Sequence, residues 1–425
     1  MGAGPHPWER ARRLRKMRLQ FASGYAFPRG LALPWDTPLE EWDSPALVRL
    51  TRGISRNLVR FVSYRDVFYA IKEINERLAI REYNLLKELV ELGLPAVEPV
   101  ALVTHRAESE KGLLVTRYLD GSLPLRTLIS AEAEKGGIER LMDAVAILLV
   151  RLHLEGFFWG DCSLSNTLFR RDAGQFAAYL VDAETGELHP SLSRGQRRHD
   201  LEIASENLAG ELMDLQAGFG LVDGVDPVDL AFSVVDRYER LWDDLTRVEE
   251  YPASESWRID ARLRHLNSLG FNVQEMEIET GEDNQCLRVR ARVVENGYHR
   301  RLVQQLTGLA VEENQARRLL NDMYSWQAGQ AEPLTETNVP GHLSAYRWFH
   351  EAYLPLLDAV PPDQRRKLDD AELFHQLMEH RWYMSEQEGR QVDLTEVVPS
   401  YVERILRPLP EPRVEANPLA LSEGG

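Results

Sequence analysis

Cysteine is scarce in this sequence. The 425 residues include two, Cys162 and Cys286, which are too few for a disulfide framework and are typical of a reducing compartment. Long apolar runs are missing as well, since none approaches the roughly 20 residues of a membrane-spanning helix. The basic residues near the N-terminus are not followed by the apolar core of a secretory signal. These features predict a cytoplasmic protein without a transmembrane segment.

Basic residues are outnumbered by acidic ones. The 50 Lys and Arg residues against 67 Asp and Glu residues give a formal net charge of -17. Such a charge repels phosphate backbones and argues against a broad nucleic-acid-binding surface. The stretch Trp8–Leu19 is a basic exception, and we predict a helix there that packs on the first domain. Its alternative is an arm that contacts an anionic substrate, a membrane surface or RNA.

The first candidate site residues lie in a strand-rich segment. Three strands are predicted by alternating apolar residues and turn signals: Val48–Leu50, Leu58–Tyr64 and Val67–Ile74. Lys72 lies in the third of them. The following helix, Arg77–Leu92, carries Glu82 on its apolar stripe, where an unpaired carboxylate would be costly to bury. We therefore expect Glu82 to pair with a cation, for which Lys72 is the natural partner.

A second set of polar residues surrounds a predicted β-hairpin. Asp161 and Asn166 stand five positions apart in a short loop, and the hairpin that follows turns at Asp172-Ala173-Gly174 and ends before Asp182. Asn166 and Asp182 should therefore meet at one end of the hairpin. An amide and a carboxylate suffice for Mg²⁺, which keeps water and phosphate oxygens as its other ligands. Asp161 could accept or orient an acceptor hydroxyl, so the pattern indicates a phosphoryl-transfer site.

These motifs resemble those of the protein-kinase-like superfamily. The loop from Trp159-Gly160-Asp161 to Asn166 resembles the His-Gly-Asp-x-x-x-x-Asn loop of small-molecule and RIO-like kinases, and Tyr69-Ala70-Ile71-Lys72 resembles the Val-Ala-Ile-Lys strand of protein kinases. Over Val48–Leu245 the chain looks most similar to bacterial proteins of the lipopolysaccharide (Kdo) kinase group that carry a C-terminal domain of unknown function.

The resemblance implies ATP and Mg²⁺ as cofactors. It implies that Lys72 holds the phosphates and pairs with Glu82, that Asp161 is the catalytic aspartate, and that Asn166 and Asp182 bind Mg²⁺. A loop carboxylate, Glu184, follows and could add a metal contact or be an ordinary surface group.

A glycine-rich phosphate loop is missing before Lys72, where the sequence offers only Gly53. Ser55 and Arg56 are candidates to bind phosphates through their side chains instead. Two functions therefore stay open. One is an ATP- and Mg²⁺-dependent phosphotransferase acting on a hydroxyl of a small molecule, glycan precursor or protein. The other is a nucleotide-binding pseudokinase scaffold whose C-terminal domain binds a protein or RNA partner.

A basic loop is predicted at Ser193–Asp200, where a kinase keeps its substrate-facing segment. Arg194, Arg197 and Arg198 could recruit an anionic acceptor, or they could pair with glutamates of the next helix, Glu202 and Glu206. That helix is predicted to span Leu201–Leu215 with Asp200 as its N-cap.

The expected fold class is α+β. A basic arm and irregular lead-in (1–45) precede a two-lobed kinase-like fold with a β-rich N-lobe (46–120) and a helical C-lobe (121–250). A mostly helical accessory domain with a β-hairpin (251–407) and a disordered tail (408–425) follow. Arg288, Arg290 and Arg292 at alternate strand positions suggest a winged-helix nucleic-acid binder, but the acidic total favours a protein- or substrate-binding appendage.

Overall fold

The computed structural model describes residues 17–22, 33–50, 57–65, 67–106, 109–124, 128, 137–219, 225–247, 249–252, 266, 273–280, 286–293, 297–329, 341–409 and 414–415, and the statements below concern these residues. The chain divides into two compact units, which are described separately. The first comprises Met1–Phe169, Ala178–Asp236 and Arg413–Gly425, and the second comprises Arg170–Ala177 and Arg237–Pro412. Strands and helices occur in both, so the predicted α+β class is confirmed.

The first unit is rich in strands in its N-terminal part and helical beyond it, as the kinase-like fold requires. Its strands are β1 Arg18–Phe21, β2 Leu47–Leu50, β3 Leu58–Tyr64, β4 Val67–Asn75, β5 Pro99–Thr104, β6 Lys111–Arg117, β7 Leu123–Pro124, β8 Phe157–Phe158, β9 Thr167–Asp172, β10 Gln175–Leu180, β11 Glu187–Leu188 and β15 Val414–Glu415. Its helices are α1 Glu76–Glu91, α2 Gly137–Leu154, α3 Arg194–Phe219 and α4 Pro227–Thr246. The boundary between the units falls within β9, β10 and α4, so that Arg170–Ala177 and the end of α4 from Arg237 onwards belong to the second unit. None of the described helices is long and apolar enough to cross a membrane.

One antiparallel sheet organises the N-terminal part of this unit. Its strand order is β1-β5-β6-β4-β3-β2-β15. Ile71 is fully buried in its core, and Glu73, two positions on, is buried as well. Because side chains alternate along a strand, Lys72 projects from the opposite face of β4. The sheet therefore aims Lys72 away from the apolar core that Ile71 occupies.

A buried ion pair ties the irregular lead-in to this sheet. Arg106 Nη1 donates to Glu73 Oε1 at 2.6 Å, and Arg106 Nε donates to the Trp35 carbonyl at 2.6 Å. Arg106 Nη2 donates to the Thr37 carbonyl, and Glu73 Oε1 also accepts the Leu39 N–H at 3.2 Å. Glu73 thus has several donors and Arg106 several acceptors, which is what makes a buried charge pair tolerable.

Two terminal segments lie at the edges of the sheet. Arg18–Phe21 pairs antiparallel with β5, with Arg18 opposite Thr104. The helix predicted over Trp8–Leu19 is therefore wrong at its C-terminal end, where alternate burial suits a strand, and residues 8–16 lie outside the described residues. At the other edge, Val414–Glu415, within the tail predicted to be disordered, pairs with β2.

The basic segment after the hairpin is helical, which corrects the predicted loop at Ser193–Asp200. Helix α3 begins at Arg194, not at Leu201. The N-cap assigned to Asp200 is wrong, because Asp200 lies in the second turn and is fully buried. Ser193 provides a cap instead, since its Oγ accepts the Gln196 N–H at 3.3 Å. Because the first turn contains no apolar side chain, the apolar periodicity of the sequence does not reveal it as helical.

Gly156 joins α2 to β8 at a point where no side chain fits. Its φ is +80°, and a Cβ there would lie 2.0 Å from the His189 carbonyl oxygen. We expect Gly156→Ala to lower the free energy of unfolding by roughly 2–5 kcal/mol, since a left-handed conformation and a backbone clash add up. Gly210→Ala, in α3 with nothing within 4 Å of the added Cβ, should instead stabilise by about 0.5–1 kcal/mol. Urea unfolding of both variants measures whether the two changes in the free energy of unfolding have opposite signs.

The second unit is mostly helical and includes the three-stranded sheet β12-β14-β13. Its strands are β12 Glu249–Pro252, β13 Val273–Thr280 and β14 Cys286–Val293. Its helices are α5 Tyr298–Thr307, α6 Glu313–Gly329, α7 His342–Trp348, α8 Leu354–Asp358, α9 Pro362–Arg365, α10 Asp370–Glu388 and α11 Leu394–Tyr401. Five-residue π-helical turns, Phe349–Tyr353 and Val402–Leu406, follow α7 and α11. The sequence pattern also predicts a helix over Trp257–Leu269, and of these residues the structure describes only Leu266.

The arginines of the predicted wing stand opposite glutamates. The antiparallel register places Arg288, Arg290 and Arg292 of β14 across from Glu279, Glu277 and Glu275 of β13. In the backbone register, each of the three arginine positions thus lies across from a glutamate position.

Asp172, at the tip of the β9–β10 hairpin, is a buried carboxylate in the second unit. Its oxygens accept the Gln315 N–H at 2.8 Å and the Asn314 side-chain amide at 3.0 Å, both at the start of α6. Beside it, the Ala173 N–H donates to Glu372 Oε2 at 2.8 Å. Burial raises the pKa of Asp172 to about 7, the charge of Glu312 adds to this, and the backbone donors oppose it.

The raised pKa of Asp172 predicts a pH-dependent stability. Between its ordinary pKa and about 7 the folded chain binds the extra proton, so stability should fall as the pH rises from about 4 to about 7. We expect Asp172→Asn to lower the overall stability, because one acceptor is lost, and to flatten this slope. Thermal unfolding at pH 5 and pH 7.5 measures it. Asp393→Asn is the control, since Asp393 is exposed and its pKa is lowered; equal slopes in wild type and Asp172→Asn would contradict the assignment.

Candidate active site

Lys72 of β4 lies among three carboxylates in the first unit. Its Nζ is 3.0 Å from Glu82 Oε2, 2.6 Å from Asp182 Oδ2 and 3.9 Å from Glu184 Oε2. Glu82 is buried on the inner face of α1, where sequence periodicity placed it. The structure thus brings together a strand lysine, a helix glutamate and the aspartate after the hairpin, as the sequence pattern indicated.

The three carboxylates form a candidate metal centre. Oxygens of Glu82, Asp182 and Glu184 all lie within 4.8 Å of one another. Burial raises the pKa of Glu82 to about 8, the charge of Asp182 adds to it, and Lys72 opposes it. Burial lowers the pKa of Lys72, but the charges of Glu82 and Asp182 outweigh this and raise it, so Lys72 is cationic. Even with Glu82 protonated, the carboxylates of Asp182 and Glu184 against the one ammonium of Lys72 leave a negative excess that a divalent cation would balance.

Asp161 is held by two amides that approach its two carboxylate oxygens. Asn166 Nδ2 donates to Asp161 Oδ2 at 3.0 Å, and Asn207 Nδ2 donates to Asp161 Oδ1 at 3.2 Å. Each oxygen keeps a further lone pair for another donor. Because Asn166 Nδ2 faces Asp161, the side-chain oxygen Oδ1 of Asn166 is the atom that could ligate a metal. The Val181 N–H donates to the backbone carbonyl of Asn166 at 3.0 Å, which joins the two ends of the hairpin.

Trp159 fastens the loop of Asp161 to the segment of Asp182. The indole is fully buried, and its Nε1 donates to the Asp182 carbonyl at 2.9 Å. Thr185 Oγ1 donates to the Trp159 carbonyl at 2.9 Å. Glu184 N–H donates to Asp182 Oδ1 at 3.1 Å, which fixes that carboxylate. The tryptophan that replaces the histidine of related motifs therefore has a defined structural role here.

One face of α3 supports the whole loop. Asp200 accepts the Trp159 and Gly160 N–H groups, each at 2.7 Å, and lies 3.0 Å from His153 Nε2 of α2. Asn207 contacts Asp161, and Glu211 accepts the Leu164 N–H at 2.6 Å. Positions 200, 207 and 211 share one helical face, so a single helix orients the loop at both ends.

Sequence reasoning missed this support. His153, Asn207 and Glu211 were not identified, and Asp200 was misread as a cap. The sequence nevertheless contains an indication that Asp200 is buried, because Asp200 stands four residues before Ala204, which is buried on the apolar stripe of α3. As for Glu82, a carboxylate on an apolar helical stripe needs hydrogen-bond donors or a cation when it is buried.

The candidate phosphate contacts and the arginines of α3 are the other residues predicted to bind anionic groups. Ser55 and Arg56, the candidate phosphate contacts, lie outside the described residues, as does Gly53. In α3, Arg198 Nε donates to Glu202 Oε1 at 3.0 Å, and both side chains are largely exposed. Arg197 Nη1 donates to the Leu192 carbonyl at 2.8 Å. The predicted pairing with a glutamate is therefore observed for Arg198, whereas Arg197 bonds to a backbone carbonyl.

The fold and the residues around Asp161 and Lys72 define a kinase-like protein. Residues 62–209 match the model of the lipopolysaccharide kinase (Kdo/WaaP) family, and residues 240–406 match the model of a domain of unknown function, DUF4032. The predicted resemblance to the lipopolysaccharide kinase group with a C-terminal domain of unknown function is thereby confirmed.

The chain was also compared with individual solved structures and curated proteins. A solved structure described as "WaaP in complex with acyl carrier protein" has 19% identity and a TM-score of 0.30, and the match covers 52% of this chain and 89% of that one. None of the curated proteins matches the chain.

Proposed function

We propose that the first unit is an ATP- and Mg²⁺-dependent phosphotransferase that transfers the γ-phosphoryl group to a hydroxyl. The observation that carries the proposal is the arrangement around Lys72. One ammonium, three carboxylates within 4.8 Å of one another and a separately supported aspartate, Asp161, are the groups that phosphoryl transfer requires. In this proposal Lys72 contacts the nucleotide phosphates and Glu82 holds Lys72 in place.

The donor set fits Mg²⁺. Carboxylate oxygens of Asp182 and Glu184 and the amide oxygen of Asn166 are hard ligands of the kind that Mg²⁺ prefers. The negative excess around Lys72 favours a cation at the same place. When bound, the metal would neutralise charge on the transferred phosphoryl group. Asp182 is the main proposed ligand, because its carboxylate is fixed by both Lys72 Nζ and the Glu184 N–H.

Asp161 is the proposed catalytic aspartate. Two amides hold its carboxylate in one orientation, and α3 fixes the backbone of its loop through Gly160. A carboxylate so placed can accept a hydrogen bond from an acceptor hydroxyl and take up its proton as the oxygen attacks. Holding the group rigidly lowers the entropic part of the barrier.

The proposed acceptor is a glycan hydroxyl. The match to a lipopolysaccharide kinase family supports a glycan hydroxyl over the small-molecule and protein alternatives. An anionic acceptor would find Arg194 exposed at the start of α3, whereas Arg198 is paired with Glu202. Acceptor pockets are built from loops with no shared motif, so fold likeness does not specify the substrate.

Thermal unfolding with ATP tests the proposed site. We expect ATP with Mg²⁺ to stabilise the wild type by about 2.7 kcal/mol at 100 times its Kd, and EDTA to remove most of that effect. Asp182→Asn should abolish the Mg²⁺-dependent part, because it removes a charged ligand. Asp161→Asn is the matched control, since it changes a neighbouring carboxylate outside the cluster around Lys72 and should keep the stabilisation.

The same experiment separates the two functions. Stabilisation together with ATP turnover on a glycan acceptor supports the phosphotransferase. Stabilisation without turnover over a broad acceptor screen favours the pseudokinase scaffold, whose C-terminal domain would then bind a protein or RNA partner. If neither ATP nor another nucleotide stabilises the wild type, both functions are refuted.

A further inference from the structure

The second unit contains a cavity that the proposed kinase site does not use. It has a volume of about 430 Å³ and lies between α6 and α10, within the region that matches the domain of unknown function. Cavities of about 300–1,000 Å³ are typical of small-molecule sites. Its lining combines apolar side chains with charged ones, so a ligand must offer both an apolar surface and polar atoms.

The apolar part of the cavity suits a flat ring. Leu319 of α6 and Phe374 and Met378 of α10 line it, together with Trp382 one turn further on. Leu319 and Phe374 are buried, whereas 57% of the Trp382 surface is exposed. A large indole left exposed beside a cavity is a surface on which an aromatic ligand can stack.

The polar part of the cavity contains a buried histidine with one unused nitrogen. Arg318 Nη1 lies 3.3 Å from His375 Nδ1. A guanidinium can only donate, so Nδ1 accepts and the ring proton is on Nε2. His375 is only 7% exposed, and its buried Nε2 makes no hydrogen bond with the described residues. Burial and the charge of Arg318 lower the pKa of His375, which keeps the ring neutral.

A hydrogen-bond acceptor stands beside this donor. Glu379 Oε2 is 4.0 Å from His375 Nε2, which is too far for a hydrogen bond between them. A ligand edge with one acceptor and one donor on adjacent atoms could bond to both groups at once. Glu379 and Asp322 also line the cavity, and their carboxylates disfavour a ligand whose anionic group enters it.

We propose that this cavity binds a purine base, as a nucleoside or nucleotide. Purine edges present adjacent donor and acceptor atoms, which match Glu379 and the Nε2–H of His375. The ring system stacks on Trp382 and packs against Met378 and Leu319, while ribose and any phosphate remain at the open side. The accessory domain would then be a purine-binding module in its own right, separate from the site of Lys72.

Equilibrium dialysis of the full chain with labelled guanosine and adenosine tests this proposal. We expect saturable binding of at least one of them, weakened roughly ten-fold or more by Trp382→Ala, because base stacking on an aromatic side chain is lost. His375→Phe should weaken binding several-fold, and His375→Gln should restore it, since the Gln side-chain amide can donate from the position of Nε2. Purine riboside, which lacks the exocyclic donor, should bind more weakly than adenosine.

Tyr346→Ala is the matched control. Tyr346 is an exposed aromatic residue of the same unit, 60% exposed, and it does not line the cavity, so its loss should leave the affinity within two-fold of wild type. The proposal is overturned if neither nucleoside shows saturable binding, or if Trp382→Ala and Tyr346→Ala have equal effects. Because Trp382 is exposed, its truncation tests the site even if the His375 variants fold poorly.

Discussion

Asp161→Asn should reduce turnover by about two to four orders of magnitude, the usual range for losing a general base. The side chain keeps its size, so the loop should keep its place, but a neutral amide cannot take up the proton of an acceptor hydroxyl. Nucleotide affinity should change little, since Asp161 contacts Asn166 and Asn207 rather than Lys72. The measurement is ATP turnover with a saturating acceptor, and Kd for ATP determined separately.

Asp214→Asn provides the control for this loss. Asp214 is an exposed aspartate on α3, and its neutralisation should leave turnover within two-fold of wild type. If Asp161→Asn retains more than a tenth of the wild-type rate, the carboxylate is not the proton acceptor. A fall in ATP affinity equal to the fall in turnover would instead assign Asp161 to nucleotide binding.

Asp200→Ala should strongly destabilise the first unit. It would leave the buried N–H groups of Trp159 and Gly160 without their acceptor and His153 without its partner. Each unsatisfied buried donor costs about 1–3 kcal/mol, so we expect a loss of several kcal/mol. Turnover should fall as well, even where the chain is still folded, because the loop that carries Asp161 loses its anchor.

Asp200→Asn distinguishes charge from hydrogen bonding at this position. Its carbonyl oxygen can still accept from one backbone N–H, so we expect an intermediate loss. Urea unfolding, combined with turnover at a temperature where each variant is folded, measures both effects. A midpoint for Asp200→Ala equal to that of wild type would show that the two backbone amides do not depend on Asp200.

Two parts of this site, the Lys72–Glu82 pair and the hairpin between Asn166 and Asp182, could be predicted from local sequence patterns. Lys72 and Glu82 could be paired because a carboxylate on an apolar helical stripe needs a cation, and they lie 3.0 Å apart. Asn166 and Asp182 were expected at one end of a hairpin, and both residues of its tight turn, Ala173 and Gly174, adopt positive φ, as such a turn requires. Both inferences used residues that lie close together in the sequence and are joined by a single turn between adjacent elements.

The remaining contacts could not be predicted in the same way. Glu211 and Asp200 bond to backbone amides 40 to 47 residues away in sequence, and no periodicity marks the partner of such a bond. The sequence pattern does not reveal the first two turns of α3, because residues 194–200 include three arginines and no apolar side chain. Likewise, the partners of Asp172 lie 142 and 143 positions further on, so its burial followed from tertiary packing alone.

The anchoring of the loop on α3 has a consequence for hydrogen exchange and for the order of folding. The amide protons of Trp159, Gly160, Leu164 and Ser165 all bond to carboxylates on this one helix. Their protection therefore cannot arise from the loop itself, which contains no helix or strand of its own. These four protons should become protected only when α3 has docked, and should be released together when it opens. The loop that carries Asp161 thus becomes ordered no earlier than α3.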